Sequence, residues 1–303
     1  MLNLAGYRHL SFSKIVSTVF QSLGSLWVLV EVTAFFEPTF SVSAASFWWI
    51  FLVLGLIIGI VRAWPRLSIS AIVQDTDCSI ELCVCDMFGL DDVHYVVSCN
   101  TTFDTSMDDG TIARDSVQGQ FTNRFFSTID QIDREIMHSL EGIDFYEMSE
   151  EDKPYGKKRA YPIGTVATVR FGERRAYLVA IAELNRDNTA HTTRPNMADA
   201  LPRLWEHIKN KGDYSTLCCP ILGSGRGRIN AKREELVQEI VRSFIPAIRS
   251  SGFCKSLIIP VNPKDFAAGH VDFKAMSEFL TYECKYGSSS LSQDISPVGT
   301  AQG

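Results

Sequence analysis

The run Ala44–Val61 (AASFWWIFLVLGLIIGIV) carries no charged side chain. A helix of that length, rising about 1.5 Å per residue, approaches the roughly 30 Å hydrocarbon core of a bilayer. Extending it through Ala63 and Trp64 completes a span. Trp48, Trp49 and Trp64 lie near its ends, where indoles favour the headgroup region. Ile15–Phe36 is a second, weaker candidate, interrupted by Gln21, Glu31 and several hydroxyl side chains. The link between them, Glu37–Ser43, is short and contains Pro38. The reading is therefore an antiparallel transmembrane hairpin over residues 1–66, with spans at about 15–36 and 44–64. Arg8 and Lys14 precede the first span, Arg62 and Arg66 follow the second, and the tip has no basic residue. The excess of positive charge at both ends predicts that both termini are cytoplasmic. A cleaved signal peptide is the rival for the first span. The length of the apolar stretch, the lack of a clear small-x-small site and the second span behind it all speak against that rival.

Two features inside the hairpin admit a role beyond anchoring. Gly55 and Gly59 have the spacing that lets helix backbones approach closely, although glycine is also common in membrane helices. Glu31 is costly in lipid and faces a partner or water, or else it lies near the far headgroups, six residues before Glu37.

The rest of the chain is long enough for one well-buried core or two small ones. A net charge of −6 excludes a general nucleic-acid binder, which carries a basic excess. Eight cysteines occur, mostly inside apolar runs, with no CxxC pair and no accompanying His-x₃-His. No zinc site is expected, and the thiols read as buried, reduced small apolar residues of a reducing compartment.

From about residue 70, apolar β-rich runs appear at Ser79–Cys85, His94–Ser98, Thr165–Phe171, Ala176–Ala182, Thr216–Leu222 and Ser256–Val261. Helical periodicity appears over Arg124–Leu140, Met197–Ile208, Glu234–Ile248 and Asp272–Tyr282. This alternation predicts an α/β domain over 70–286, a mixed sheet sandwiched by helices. Glu147–Arg159 (EMSEEDKPYGKKR) reads as an exposed polar loop. Residues 287–303, rich in Ser, Gly and Pro, read as a disordered tail.

The strongest local feature is Cys218–Asn230, CCPILGSGRGRIN. A buried strand runs into Gly223, Ser224, Gly225, Arg226 and Gly227, and a helix follows. Glycines in that position let backbone N–H groups converge on an anion. The helix N-terminus adds partial positive charge, and Arg226 and Arg228 add full charge. The sequence is not a Walker A loop, since no GK[ST] follows, and a glycine-rich turn of purely structural purpose stays open. A second feature is Asp86–Asn100 (DMFGLDDVHYVVSCN), where one apolar strand ends at Asp86 and another at Asn100. Parallel strands would bring both to the edge where ligands of open α/β sheets bind.

These residues resemble a macro domain, the ADP-ribose-binding module. Asp86-Met87-Phe88 is similar to that family's Gly-Asp-Ile/Val turn, Val97–Asn100 to its strand ending in Asn-Ala-Ala-Asn, and Pro220–Gly225 to its phosphate loop. The resemblance covers roughly Ile72 to Tyr282. It implies that Asp86 accepts from the adenine amino group, with Met87 and Phe88 beside it. Asn100 would contact the distal ribose, and Gly223–Gly227 would wrap the diphosphate. Asn262 and Phe266 would line the adenine pocket. The family's hydrolases follow the second Asn with a glycine run. Here the segment Thr101–Gly110 has a single glycine and the acids Asp104, Asp108 and Asp109. That departure speaks against hydrolysis. It suggests either a distal pocket for a ligand with a positive group or acids that merely solvate a loop.

The whole arrangement resembles the membrane effectors of type II Thoeris anti-phage defence. The resemblance implies a non-enzymatic oligomeric effector in the bacterial inner membrane. Its macro domain would sense an ADP-ribose-derived signal, such as histidine-linked ADP-ribose made by a TIR-domain enzyme, with no cofactor, metal or nucleic acid. Its hairpin, linked through Pro65–Ser70, would then disrupt the membrane. A membrane-bound ADP-ribosyl hydrolase and a passive ADP-ribose-reading scaffold are the alternatives.

Overall fold

A computed structural model of the chain describes residues 12–37, 47–64, 66–108, 110–186, 189–225 and 229–287. It divides into two compact units, Met1–Leu67 and Ser68–Gly303.

Among its described residues the first unit holds two helices, α1 (Phe12–Phe36) and α2 (Trp48–Ala63). They pack where α2 carries its two glycines. A Cβ on Gly59 would lie 2.6 Å from the Val19 Cα, and one on Gly55 would lie 2.3 Å from a Leu23 methyl. Backbone contact of that closeness is what the glycine spacing is for. Ser22 is buried, while Gln21 and Glu31 are exposed on α1. Among the described residues one helix, Val16–Phe36, is long and apolar enough to cross a membrane. The expected weaker span, 15–36, meets that criterion, while the expected stronger one, 44–64, falls short of it over its described part. Residues 44–46 lie outside the described residues, and α2 has 16 residues, so at about 1.5 Å per residue it reaches only ~24 Å.

The second unit is built on an eight-stranded mixed sheet. Its strands are β1 (Ser68–Ile72), β2 (Ser79–Val84), β3 (Val93–Asn100), β6 (Val166–Phe171), β7 (Arg174–Leu184), β8 (Ala190–His191), β9 (Thr216–Cys218) and β10 (Ser256–Val261). The order is β1-β2-β10-β9-β3-β7-β6, with β8 on β7. The five central strands, β2, β10, β9, β3 and β7, run parallel, and β1, β6 and β8 are antiparallel additions. A separate two-stranded ribbon joins β4 (Tyr146–Glu147) to β5 (Arg159–Ala160).

Alternation along the central strands supplies two cores. Tyr177, Val179 and Ile181 of β7 face one side with Val96 of β3, and Ala176, Leu178 and Ala180 face the other with Tyr95 and Val97. The first face is covered by α5 (Arg194–Lys211), α6 (Arg233–Ser250) and α8 (Phe273–Tyr286). The second is covered by α3 (Val117–Phe125) and α4 (Ile129–Ser139). A short α7 (Pro263–Ala267) follows β10. All eight cysteines are unpaired, seven of them buried and Cys85 half-buried.

Two sequence boundaries shift. The single helix expected over Arg124–Leu140 is two, because Phe126 is extended (φ −127°, ψ 133°) and Thr128 starts α4 afresh. Hydrophobic period alone does not register such a break, since Phe125 and Ile129 keep the four-residue spacing across it. The link expected at Pro65–Ser70 ends sooner, because β1 begins at Ser68 and pairs with Cys83 of β2. The expected tail lies outside the described residues beyond Gly287.

Candidate functional site

Because β2, β3, β7, β9 and β10 run parallel, their carboxyl ends meet at one sheet edge. A cavity of about 610 Å³ opens there. Of the residues expected from the sequence, Asp86, Met87, Phe88, Asn100, Gly223, Ser224, Gly225 and Asn262 line it. Phe266 does not. It packs edge-on against Phe273, with ring centroids 5.0 Å apart, at the margin of the first core. Arg226, Gly227, Arg228 and Asp109 lie outside the described residues.

Asp86 lies two residues beyond the end of β2 and caps the 3₁₀ turn Met87–Gly89, its Oδ1 accepting from the Phe88 N–H at 3.2 Å. Its Oδ2 accepts from the Arg124 guanidinium at 3.1 Å, and that guanidinium lies over the Phe88 ring at 5.2 Å. A carboxylate has about four lone-pair sites, so the exposed group keeps acceptor capacity toward the cavity.

The glycine loop leaves β9 through Cys219 and Pro220. Ser224 donates both its N–H (3.3 Å) and its hydroxyl (2.6 Å) to the Ile221 carbonyl, which closes the turn. Gly223 takes φ +73°, and a Cβ there would meet Ile229 Cδ1 at 2.3 Å. Only glycine fits that backbone. Gly225 has open space where its Cβ would be, which suits a close approach of ligand to backbone.

The sequence reading credits the helix after the glycine loop with the dipole. That helix, α6, begins only at Arg233, which lines the cavity and pairs with Asp265 at 3.3 Å. A second helix end also reaches the cavity. The start of α3 contributes Ser116, Val117 and Gln118, and Ser116 caps it by accepting from the Gly119 N–H at 3.0 Å. An N-terminus there favours an anion. Gly119 is required for this close turn, since a Cβ would lie 2.3 Å from the Ala113 carbonyl oxygen. No phosphate-binding pattern in the sequence marks this second helix end.

Asn100 ends β3 at the cavity wall and is almost wholly buried. Its amide donates to Asp104 Oδ2 at 3.1 Å, its Oδ1 accepts from the Asp104 N–H at 3.1 Å, and the Thr102 hydroxyl gives its one proton to Asp104 Oδ2 at 2.5 Å. Asp104 also pairs with the buried Lys153 at 2.8 Å and accepts from the Lys157 N–H at 2.7 Å. Two readings are corrected by this cluster. Asp104 is not available to a positively charged ligand group, because Lys153 occupies it, and Asp108 pairs instead with Arg114 at 2.8 Å. Residues 147–159 are not simply an exposed loop. They fold back so that Lys153 is fully buried and Gly156 (φ +76°) leaves room beside Asp104. A polar run gives no sign in sequence that one of its lysines has a buried partner 49 positions earlier.

None of 147–159 lines the cavity, whereas Ala190 and Thr192 from the Asn185–Arg194 segment do, together with Ile181, Ala182 and Leu184 of β7. Burial pushes the Cys99 thiol well up, and a hydrogen bond with Cys83 lowers that of Cys85. Among the described residues no cluster of side chains is suited to hold a metal ion.

Residues 80–262 match the family model of the Thoeris protein ThsA macro domain. The chain is 29% identical over 176 residues to the Thoeris protein ThsA of Bacillus amyloliquefaciens (strain Y2), covering 57% of this chain and 58% of the relative, so it spans a little over half of that protein. Among solved structures, a macrodomain variant from Oceanobacillus iheyensis with ADPR is 13% identical with a TM-score of 0.47, covering 70% of this chain and 99% of that one. Thermosipho africanus DarTG in complex with ADP-ribose is 14% identical with a TM-score of 0.37, covering 61% of this chain and 45% of that one.

Proposed function

The chain belongs to the family of the Thoeris protein ThsA macro domain, and from that premise we propose that its second unit is a non-enzymatic receptor for an ADP-ribose-derived signal in Thoeris anti-phage defence. The single observation that carries this reading is the gathering of Asp86, Asn100 and Gly223–Gly225 around one cavity of about 610 Å³ at the carboxyl edge of the parallel strands. Asp86 would accept from the adenine amino group. The glycine loop and the start of α3 would face the diphosphate, where backbone N–H groups and a helix dipole favour negative charge. Thr192 and Ala190, which line the same cavity, would read a terminal group of the signal, such as the histidine of histidine-linked ADP-ribose.

A sensing role is favoured over hydrolysis by Asn100. Its side-chain oxygen and one amide hydrogen are committed to the Asp104 cluster, which holds this loop where the family's hydrolases have glycines. The test is calorimetric titration of the full chain in micelles with ADP-ribose and with histidine-linked ADP-ribose. Saturable binding without turnover is the expected result. Release of free product would instead make the protein a hydrolase.

The first unit would be the output element in the bacterial inner membrane, with both termini cytoplasmic. Its support is the apolar, largely exposed surface of α1 and α2, including Trp27, Leu29, Phe35, Ile57 and Val61. Gln21 and Glu31 lie on the exposed part of α1, where in lipid a polar group calls for a partner. A second copy of the chain would supply one, and signal binding would favour that assembly through its higher affinity for the assembled state. Signal-dependent dye release from vesicles containing the chain tests this. An intact vesicle in the presence of saturating signal would leave a passive scaffold.

A further inference from the structure

We propose that the second unit carries another binding site, for a ligand bearing two or more phosphates, in an arginine-lined basin separate from the cavity at the sheet edge. The basin has a volume of about 550 Å³ and is walled by the end of α3, the exposed side of α4 and the turn between β6 and β7. Four arginines, Arg124, Arg134, Arg170 and Arg174, line it, with a single acidic residue, Glu135. In a chain with net charge −6 this local excess is not a sample of the general surface.

Two of the four have structural explanations. Arg124 sits in the last turn of α3, where a cation complements the helix dipole, and it pairs with Asp86. Arg174 is half-buried and stacks over Phe171 at 5.0 Å and Phe125 at 5.1 Å. That stacking holds its planar donor fork in one orientation. Arg134 and Arg170 have no ion-pair partner among the described residues. The basin's one carboxylate takes its hydrogen bond from the Arg170 backbone N–H (3.1 Å) and neutralises neither guanidinium. Unpaired guanidiniums at the rim of one hollow repel each other unless an anion joins them. Their planar forks suit phosphate oxygens bidentately. With three of the four free of carboxylate partners, one phosphate would leave charge unmatched, which is why the ligand carries at least two. Arg124 is shared, since its guanidinium lines this basin and also bonds the Asp86 carboxylate of the first cavity.

The test uses the full chain in neutral detergent micelles carrying Gly225→Glu, so that the glycine loop does not contribute. Titration with tripolyphosphate should give one saturable site per chain. Arg134→Glu with Arg170→Glu should weaken it at least tenfold. The same charge change made elsewhere, at the exposed Lys209→Glu and Lys274→Glu, should leave it within twofold. Absence of saturable binding, or equal weakening by both pairs, overturns the proposal. Repeating the titration in phosphatidylcholine vesicles with and without cardiolipin, a lipid whose headgroup carries two phosphates, separates the sources. Binding lost only beside the anionic lipid assigns the site to a lipid headgroup, and binding kept in both assigns it to a soluble phosphate. The ADP-ribose titration of the unmutated first site is independent of either result.

Discussion

The Lys153 ammonium lies 2.8 Å from the Asp104 carboxylate, with 1% and 2% of the two side chains exposed. Asp104 also accepts from Asn100, Thr102 and the Lys157 N–H, and Lys153 donates to the Tyr155 carbonyl at 2.7 Å. A buried pair survives only when its remaining hydrogen-bond capacity is met in this way. The pair ties residues 149–158 to the loop after β3, so a segment outside the cavity positions one of its walls.

Breaking that pair from one side leaves a charge without water or partner. Lys153→Met should therefore destabilise the fold by about 3–5 kcal/mol. Adding Asp104→Asn, which removes the orphaned charge and keeps hydrogen bonding, should recover part of that loss. Denaturant unfolding of the single and double variants reads the coupling. A single-variant loss below ~1 kcal/mol would mean that solvent reaches the site.

The glycine loop separates backbone demand from ligand demand. Gly223→Ala meets both a left-handed φ and the Ile229 side chain, so a stability loss of about 1–2 kcal/mol is expected. Gly225→Ala has open space and should change stability by less than ~0.5 kcal/mol. Gly225→Glu should instead leave folding intact and abolish binding of ADP-ribose, by placing a carboxylate against the diphosphate. Asp86→Ala should weaken the same binding at least tenfold. Full-strength binding by both of these variants would sink the assignment of the cavity.

His207 predicts a pH dependence. Burial first, and then Lys211, lower its pKa from 6.5 to about 4, while its ring meets the Thr168 hydroxyl at 2.7 Å. The folded value lies below the unfolded one, so the unfolded state binds the extra proton. Stability is then fully present above about pH 6.5 and falls as pH drops toward 4, by on the order of 2–3 kcal/mol. His207→Gln should flatten this slope in unfolding measured across that window. An unchanged slope would assign it to other groups.

The helix pair of the first unit offers an internal control. Gly59 faces the Val19 backbone, which cannot move aside, while Gly24 faces open space. Gly59→Val should cut signal-dependent dye release at least fivefold, and Gly24→Val should leave it within twofold, with signal binding retained by both. Equal release from the two variants would remove the α1–α2 contact from the output path.

The class of the second unit, and most of the residues predicted to share one cavity there, were readable from the sequence. Strand periodicity and the apolar runs located β2, β3, β6, β7, β9 and β10. The backbone-dependent residues Gly223, Ser224 and Gly225 were legible because a glycine after a buried strand has a local conformational cause. Gly55 and Gly59 were legible for the same kind of reason. Tertiary structure alone decided which polar residues answer one another. Asp104 with Lys153, Asp86 with Arg124, and the start of α3 at the cavity are pairings across the chain, set by how helices dock on the sheet. An acidic side chain next to a site looks identical in sequence whether it faces a ligand or a buried lysine. Electrostatic partnership depends on distance in space and on exclusion of water, and neither is written in the local order of residues.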